Sequence, residues 1–112
     1  MMLMLQGDFQ IRSILMPLRD YFQQEYQERF DRMILFGSQA RGDATDASDV
    51  DVLIVLRDPV NASEELQRTS QFVAKFCLDH NLLIARLFMP RSRFDVENSP
   101  LLRKIRREGI VL

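Results

Sequence analysis

The chain has 112 residues, of which 46% are apolar and 28% are charged, and its formal net charge is −1. This length and composition predict one folded domain, residues 1–112, and exclude a disordered chain. The near-neutral charge provides no overall attraction to nucleic acids or membranes, so neither is expected as a partner. A single cysteine rules out an internal disulfide, and the apolar start at residues 1–5 is too short for a signal peptide. We therefore expect a cytoplasmic protein.

The first predicted element is a helix over residues 8–29. Asp8 is a suitable N-cap, and Pro17 predicts a kink or a later start. Apolar residues recur at helical spacing and predict the face that packs on a sheet: Ile11, Leu15, Leu18, Phe22 and Tyr26.

A short apolar run at residues 33–36 predicts a buried strand, which Gly37 and Ser38 interrupt before a helix-compatible segment. The junction between a strand end and a helix start offers backbone N–H groups and the positive end of the helix to a phosphate. Glycine allows close approach, and serine adds a hydroxyl donor. Gly37 and Ser38 are therefore candidate phosphate-binding residues.

Asp49 and Asp51 open a second apolar strand that continues to Leu56. Because side chains alternate along a strand, both carboxylates should lie on one face. Two adjacent carboxylates repel each other unless a cation lies between them, and Mg²⁺ suits a few carboxylates completed by water and phosphate oxygens. A phosphate site beside a metal site indicates nucleotide chemistry. The alternative is a plain turn followed by a solvated strand end.

The next helix is predicted from Asn61, the N-cap, to about residue 78. Its buried face should comprise Leu66, Thr69, Val73, Phe76 and Cys77. His80 follows near the helix C-terminus, where a cation is favourable, and we expect that role rather than a catalytic one.

Residues 82–89 predict the third strand, and residues 91–98 predict a polar loop with at most one helical turn. Ser99 and Pro100 start a last helix, Gly109 is its predicted C-cap, and residues 110–112 add an edge strand or pack on the core. The basic residues of this helix are explained as a solvated helix end, with partner binding as the alternative.

Gly37-Ser38, ten further residues and then Asp49-Val50-Asp51 resemble the signature of the nucleotidyltransferase superfamily that includes DNA polymerase beta and kanamycin nucleotidyltransferase. Residues 37–42 with 48–51, and the ending at residues 99–109, are similar to the minimal nucleotidyltransferases, the MNT group. The resemblance implies an α/β (α+β) fold with a small mixed sheet and helices packed mainly on one face.

The resemblance also implies roles for individual residues. Gly37 and Ser38 would hold a nucleoside triphosphate, and Asp49 and Asp51 would bind Mg²⁺ and carry the catalysis. Arg41 would contact phosphate or pair with a nearby acid, of which Asp43, Asp46 and the motif aspartates are candidates.

The reaction implied is transfer of AMP from ATP to an acceptor hydroxyl. MNT proteins are commonly encoded beside a HEPN ribonuclease toxin and act as its antitoxin, some by adding AMP to a toxin tyrosine. The expected partners are therefore ATP and a HEPN toxin in a hetero-oligomer.

The third carboxylate of the superfamily is missing from the predicted third strand, residues 82–89. Neither face of this strand carries an acid, and one face carries Arg86. A substitute would have to come from a flanking segment, from Asp79, Asp95 or Glu97. This departure supports an alternative function, an antitoxin of weak or no catalytic activity that binds nucleotide and metal and neutralises the toxin by direct binding.

Overall fold

The computed structural model describes residues 2–42, 44 and 49–112, and for residues 2–9 it describes the backbone alone. The helices are α1 (Met2–Tyr26), α2 (Ser38–Arg41), α3 (Ala62–His80), α4 (Arg91–Val96) and α5 (Pro100–Glu108), with a 3-10 turn at Gln27–Arg29. The strands are β1 (Phe30–Phe36), β2 (Val50–Leu56), β3 (Ile84–Pro90) and β4 (Ile110–Val111). None of the helices described is both long and apolar enough to cross a membrane.

The four strands form one mixed sheet in the order β3-β2-β1-β4. Strand β1 pairs antiparallel with β2 and with β4, whereas β2 and β3 are parallel. The predicted α/β fold with a small mixed sheet is therefore confirmed, and residues 110–111 supply the predicted edge strand.

Strand β2 lies at the centre of the fold because both of its faces are covered. Val52 and Ile54 belong to a core cluster with α1 and α3, whereas Leu53 and Val55 belong to a second cluster with α4 and α5. Burial on both faces explains why the strand reads as a continuous apolar run rather than an alternating one. By the same alternation, Asp51 lies on the face that α4 and α5 share.

The two longest helices, α1 and α3, cover one face of the sheet, as expected, and the short helices α4 and α5 cover part of the other. Helix α1 starts at Met2, so the predicted start at Asp8 is wrong, and Pro17 lies inside the helix without delaying its start. Good helix formers such as methionine, leucine and glutamine precede Asp8 and extend the helix past that cap.

Helix α3 has the predicted N-cap, since the Asn61 side chain accepts a hydrogen bond of 3.2 Å from the Glu64 amide. The predicted buried face is wrong at Leu66, which is 38% exposed, while Glu65 is buried instead. Glu65 is buried because its carboxylate accepts a hydrogen bond of 2.9 Å from the Tyr26 hydroxyl and pairs with Arg29 at 3.3 Å. The hydrogen bond and burial together raise the pKa of Tyr26, with burial the larger cause.

Helix α3 ends at His80, two residues beyond the predicted end near residue 78. Cys77 is half-buried and packs against the edge of the core cluster formed with α1. His80 is the last helical residue, and its Nδ1 lies 2.9 Å from the Phe76 carbonyl oxygen.

Residues 91–96 form helix α4 where a polar loop with at most one helical turn was expected. The helix is held by its single buried residue, Phe94, over which the Arg106 guanidinium packs. The Ser99 side chain caps α5, as predicted, by accepting from the Leu102 amide at 3.2 Å. Gly109 is the C-cap of α5, but with an ordinary φ of −70°. A side chain at Gly109 would overlap the Ile105 carbonyl, so close packing rather than a left-handed conformation requires glycine.

Candidate functional site

The end of β1 and the start of β2 bring the predicted site residues to one end of the sheet. Gly37 follows β1 and serves as the N-cap of the four-residue helix α2, with φ 76° and ψ −156°. L side chains rarely adopt this conformation, so glycine is needed for the turn itself. The Gly37 carbonyl accepts hydrogen bonds of 3.1 Å from the Ala40 and Arg41 amides, which fixes the turn. The amides of Ser38 and Gln39 precede the hydrogen bonds of the helix and are the donors that a phosphate could use.

Asp51 lies directly against Gly37. In the ladder between β1 and β2, Asp51 pairs with Phe36, the residue before Gly37. A Cβ on Gly37 would overlap the Asp51 Oδ2 and would lie 3.3 Å from its Cγ. The missing side chain of Gly37 therefore makes room for a carboxylate beside the predicted phosphate site.

Asp49 is exposed and immediately precedes β2, whereas Asp51 is half-buried within it. Extending the strand alternation by one residue places both carboxylates on the same face, as the spacing predicts. Burial raises the pKa of Asp51, the negative charge of Asp49 raises it further, and the charge of Arg41 lowers it. Two interacting carboxylates are a suitable ligand set for one Mg²⁺ ion, which completes its coordination with water and phosphate oxygens.

Arg41 lies at the end of α2, where its Nη1 is 3.4 Å from Glu108 Oε2 in the last turn of α5. Its charge also acts on Asp51. Two of the acids proposed as its partners, Asp43 and Asp46, lie outside the described residues, as does Ser48 of the motif. Sequence reasoning missed Glu108, since a pair separated by 67 residues leaves no local pattern.

The strand position beside Asp51 is occupied by Ala85. The parallel register pairs Asp51 with Ala85, and Val52 with Arg86. Paired residues share a face, so Arg86 lies on the opposite face of the sheet, toward α1 and α3. Arg86 therefore does not occupy the position of the third carboxylate of the superfamily pattern.

Each of the three acids that flank β3 forms an ion pair with a basic residue four positions earlier in the chain. These pairs are Lys75–Asp79 at 2.7 Å, Arg91–Asp95 at 3.7 Å and Arg93–Glu97 at 2.6 Å. Within the part of the chain that the structure describes, no group of three or more histidine, cysteine or acidic side chains is arranged to hold a metal. The described site is thus a pair of carboxylates and not a triad.

A cleft of about 1450 Å³ opens beside this site, between α1, α3 and the start of β3. Gln39 and Asp49 border it, and so does Arg86. Its lining mixes polar and apolar residues, and the apolar ones include Ile11, Ile14, Val73, Ala74 and Ile84. This cleft could not be predicted from local sequence patterns, because its lining comes mainly from three elements that are far apart in the chain.

Comparison with known proteins identifies the family of this chain. The model of the nucleotidyltransferase domain family matches residues 15–109, which include all five predicted site residues. Two proteins of Methanocaldococcus jannaschii are similar in sequence. "Putative protein adenylyltransferase MJ0141" is 35% identical over 66 residues, which is 59% of this chain and 66% of that protein. "Putative protein adenylyltransferase MJ0604" is 58% identical over 31 residues, 28% of this chain and 31% of that protein.

The aligned parts span just under two thirds of the first of these relatives and under a third of the second. A solved structure with a similar fold is described as a putative nucleotidyltransferase from Sulfolobus solfataricus. Its TM-score is 0.67 at 16% sequence identity, and the match covers 96% of this chain and 84% of that one. At this identity the similarity establishes the fold alone, and it agrees with the mixed sheet described above.

Proposed function

We propose a specific activity for this chain, which belongs to the nucleotidyltransferase domain family. It transfers AMP from ATP to a hydroxyl group of a partner protein, and the transfer requires Mg²⁺. The observation that carries the proposal is the contact between the two halves of the site. The Asp51 carboxylate lies against Gly37, so a metal held by the aspartates would adjoin phosphates held by the turn. The names of the two similar Methanocaldococcus proteins support a protein as the acceptor.

Each residue of the site has a task in this reaction. The Ser38 hydroxyl and the first amides of α2 hold the β- and γ-phosphates, the future leaving group. Arg41 adds positive charge beside them. Asp49 and Asp51 would hold Mg²⁺, which would supply positive charge that offsets the phosphates. The acceptor oxygen bonds to the α-phosphorus while the bond to the bridging oxygen breaks, and pyrophosphate leaves.

The proposed acceptor is a tyrosine of a HEPN ribonuclease toxin, for which this chain would be the antitoxin in the cytoplasm. The resemblance of residues 37–42, 48–51 and 99–109 to MNT proteins supports this partner. Ala85 stands beside Asp51 and cannot accept a proton. The acceptor hydroxyl would therefore lose its proton to water or to a group of the partner.

Coexpression with the HEPN protein of a neighbouring gene tests the proposal. The intact mass of the toxin should rise by one or more AMP units with the wild-type chain, and should not rise with the double variant Asp49→Asn/Asp51→Asn. Asp58→Asn is a matched control, because Asp58 is an exposed acid at the far end of β2. An unmodified toxin with the wild-type chain, or equal modification with the double variant, would refute the transfer.

Neutralisation by direct binding is the second candidate, and Ala85 beside Asp51 favours it. The double aspartate variant separates the two functions. If this variant binds the toxin and still protects cells, masking is sufficient. If it binds the toxin without protecting cells, masking is rejected.

A further inference from the structure

Arg86 carries a positive charge into the wall of the cleft without a carboxylate to balance it. Its Nη2 donates a hydrogen bond of 3.1 Å to the Leu66 carbonyl. Its Nε is buried and has no hydrogen-bond partner among the described residues. Within the described part of the chain, no carboxylate is among the groups whose charge acts on Arg86, and burial lowers the pKa of its guanidinium.

This environment differs from that of the other half-buried arginines. Arg29 pairs with Glu65 at 3.3 Å, and Arg32 pairs with Asp31 at 2.5 Å. Removing a cation from water without pairing it costs free energy, which an incoming anion would recover. An unbalanced cation in the wall of a cleft is therefore a candidate binding site.

The cleft opens at the end of the sheet that carries the predicted site, where Gln39 and Asp49 border it. The leaving group is assigned to Gly37, next to β1, and in-line displacement brings the acceptor from the opposite side, which is the β3 side. Val50 pairs with Ile84, so Asp49 is level with Leu83. Arg86 is three residues farther along β3, about 10 Å from the level of Asp49 at strand spacing, and on the opposite face of the sheet from Asp51.

We propose that the cleft binds a segment of the acceptor protein, in which an acidic side chain pairs with Arg86 and apolar side chains pack on the walls. Charge complementarity selects an acidic segment, and the apolar lining selects a protein over a small anion such as free phosphate. Two leucines of the cleft, Leu78 and Leu83, are 83% and 69% exposed and extend the apolar surface outward. This inference rests on the proposed function, because it takes a protein as the acceptor.

The test uses the full chain and the HEPN toxin of the coexpression experiment. Arg86→Met removes the charge but keeps an apolar stem, and Arg57→Met is the matched control, since Arg57 is exposed beyond the far end of β2. Calorimetry should show toxin binding weakened about tenfold or more by Arg86→Met and unchanged by Arg57→Met. In the transfer assay the KM for toxin should rise by a similar factor, while the KM for ATP stays constant.

Two further variants keep the test decisive if Arg86→Met folds poorly. Leu83→Ala, at an exposed position, should weaken toxin binding severalfold. Single acidic residues of the toxin are also changed to amides. One of these toxin variants should bind the wild-type chain more weakly than the unchanged toxin does. The same variant should bind Arg86→Met as well as the unchanged toxin does. Equal affinity of Arg86→Met and wild type, or an equal rise in the KM for ATP, would overturn the inference.

The outcomes also separate this inference from the proposed function. If the toxin binds but receives no AMP, the transfer proposal fails, and the comparison of affinities still decides the role of Arg86. If the toxin does not bind to the wild-type chain, the docking proposal is overturned together with the choice of partner.

Discussion

Gly37→Ala tests the contact on which the site depends. The substitution adds one methyl group at a residue with φ 76° and ψ −156°, against the Oδ2 of Asp51. Residues forced into this region of backbone space are strained by about 1–3 kcal/mol. Overlap with the carboxylate adds about 1–2 kcal/mol, part of which the Asp51 side chain relieves by rotating away. We expect a total destabilisation of about 2–4 kcal/mol.

Urea unfolding followed by circular dichroism measures this loss, and a double-mutant cycle assigns it. In an Asp51→Ala background the overlap with the carboxylate disappears, so Gly37→Ala should lose only the backbone part. The two substitutions should therefore show a coupling of about 1–2 kcal/mol. Additive effects, or a Gly37→Ala variant as stable as wild type, would refute the contact between the turn and the carboxylate.

Three further predictions concern stability. Asp51→Asn should raise the unfolding temperature in EDTA, because it relieves the repulsion between Asp49 and Asp51, and it should abolish stabilisation by MgCl₂. Asp58→Asn, the control, should change neither the unfolding temperature nor the response to MgCl₂. Stabilisation of Asp51→Asn by Mg²⁺ in calorimetric scans would contradict the metal site. Tyr26→Phe removes the hydrogen bond to Glu65 and should destabilise the chain by about 1.5–3 kcal/mol in urea titrations; an unchanged midpoint would show that this bond is unimportant. Ser99→Ala removes the α5 cap and should lower the free energy of unfolding by about 1 kcal/mol, and a loss below a few tenths would argue against the cap.

Local patterns in the sequence predicted the parts of the fold that local physics determines. The cap at Asn61 requires only an amide three residues later, and the cap at Ser99 likewise, so both were predicted correctly. The placement of Asp49 and Asp51 on one face could be predicted because side chains alternate along a strand with a period of two. The start of α1 was wrong because favourable helix propensity before Asp8 outweighed its capping tendency.

Features that depend on tertiary pairing could not be read from the sequence. The burial of Glu65 follows from its contacts with Tyr26 at the end of α1 and Arg29 in the 3-10 turn. The face on which Arg86 lies depends on the register between β2 and β3, because a shift of one residue would exchange Arg86 with Ala85. The pairing of Arg41 with Glu108 and the cleft beside β3 likewise depend on how α5, α1 and α3 pack on the sheet.

Transfer of label from ATP is the most direct test of the central claim, that Gly37, Ser38, Asp49 and Asp51 form an adenylyl-transfer site. The purified chain is incubated with the HEPN toxin, MgCl₂ and ATP labelled on either the α- or the γ-phosphate. We predict that the toxin acquires the α-label but not the γ-label, and that Asp49→Asn/Asp51→Asn abolishes the transfer. Acquisition of the γ-label, or of neither label by a toxin that binds the chain, would contradict the account.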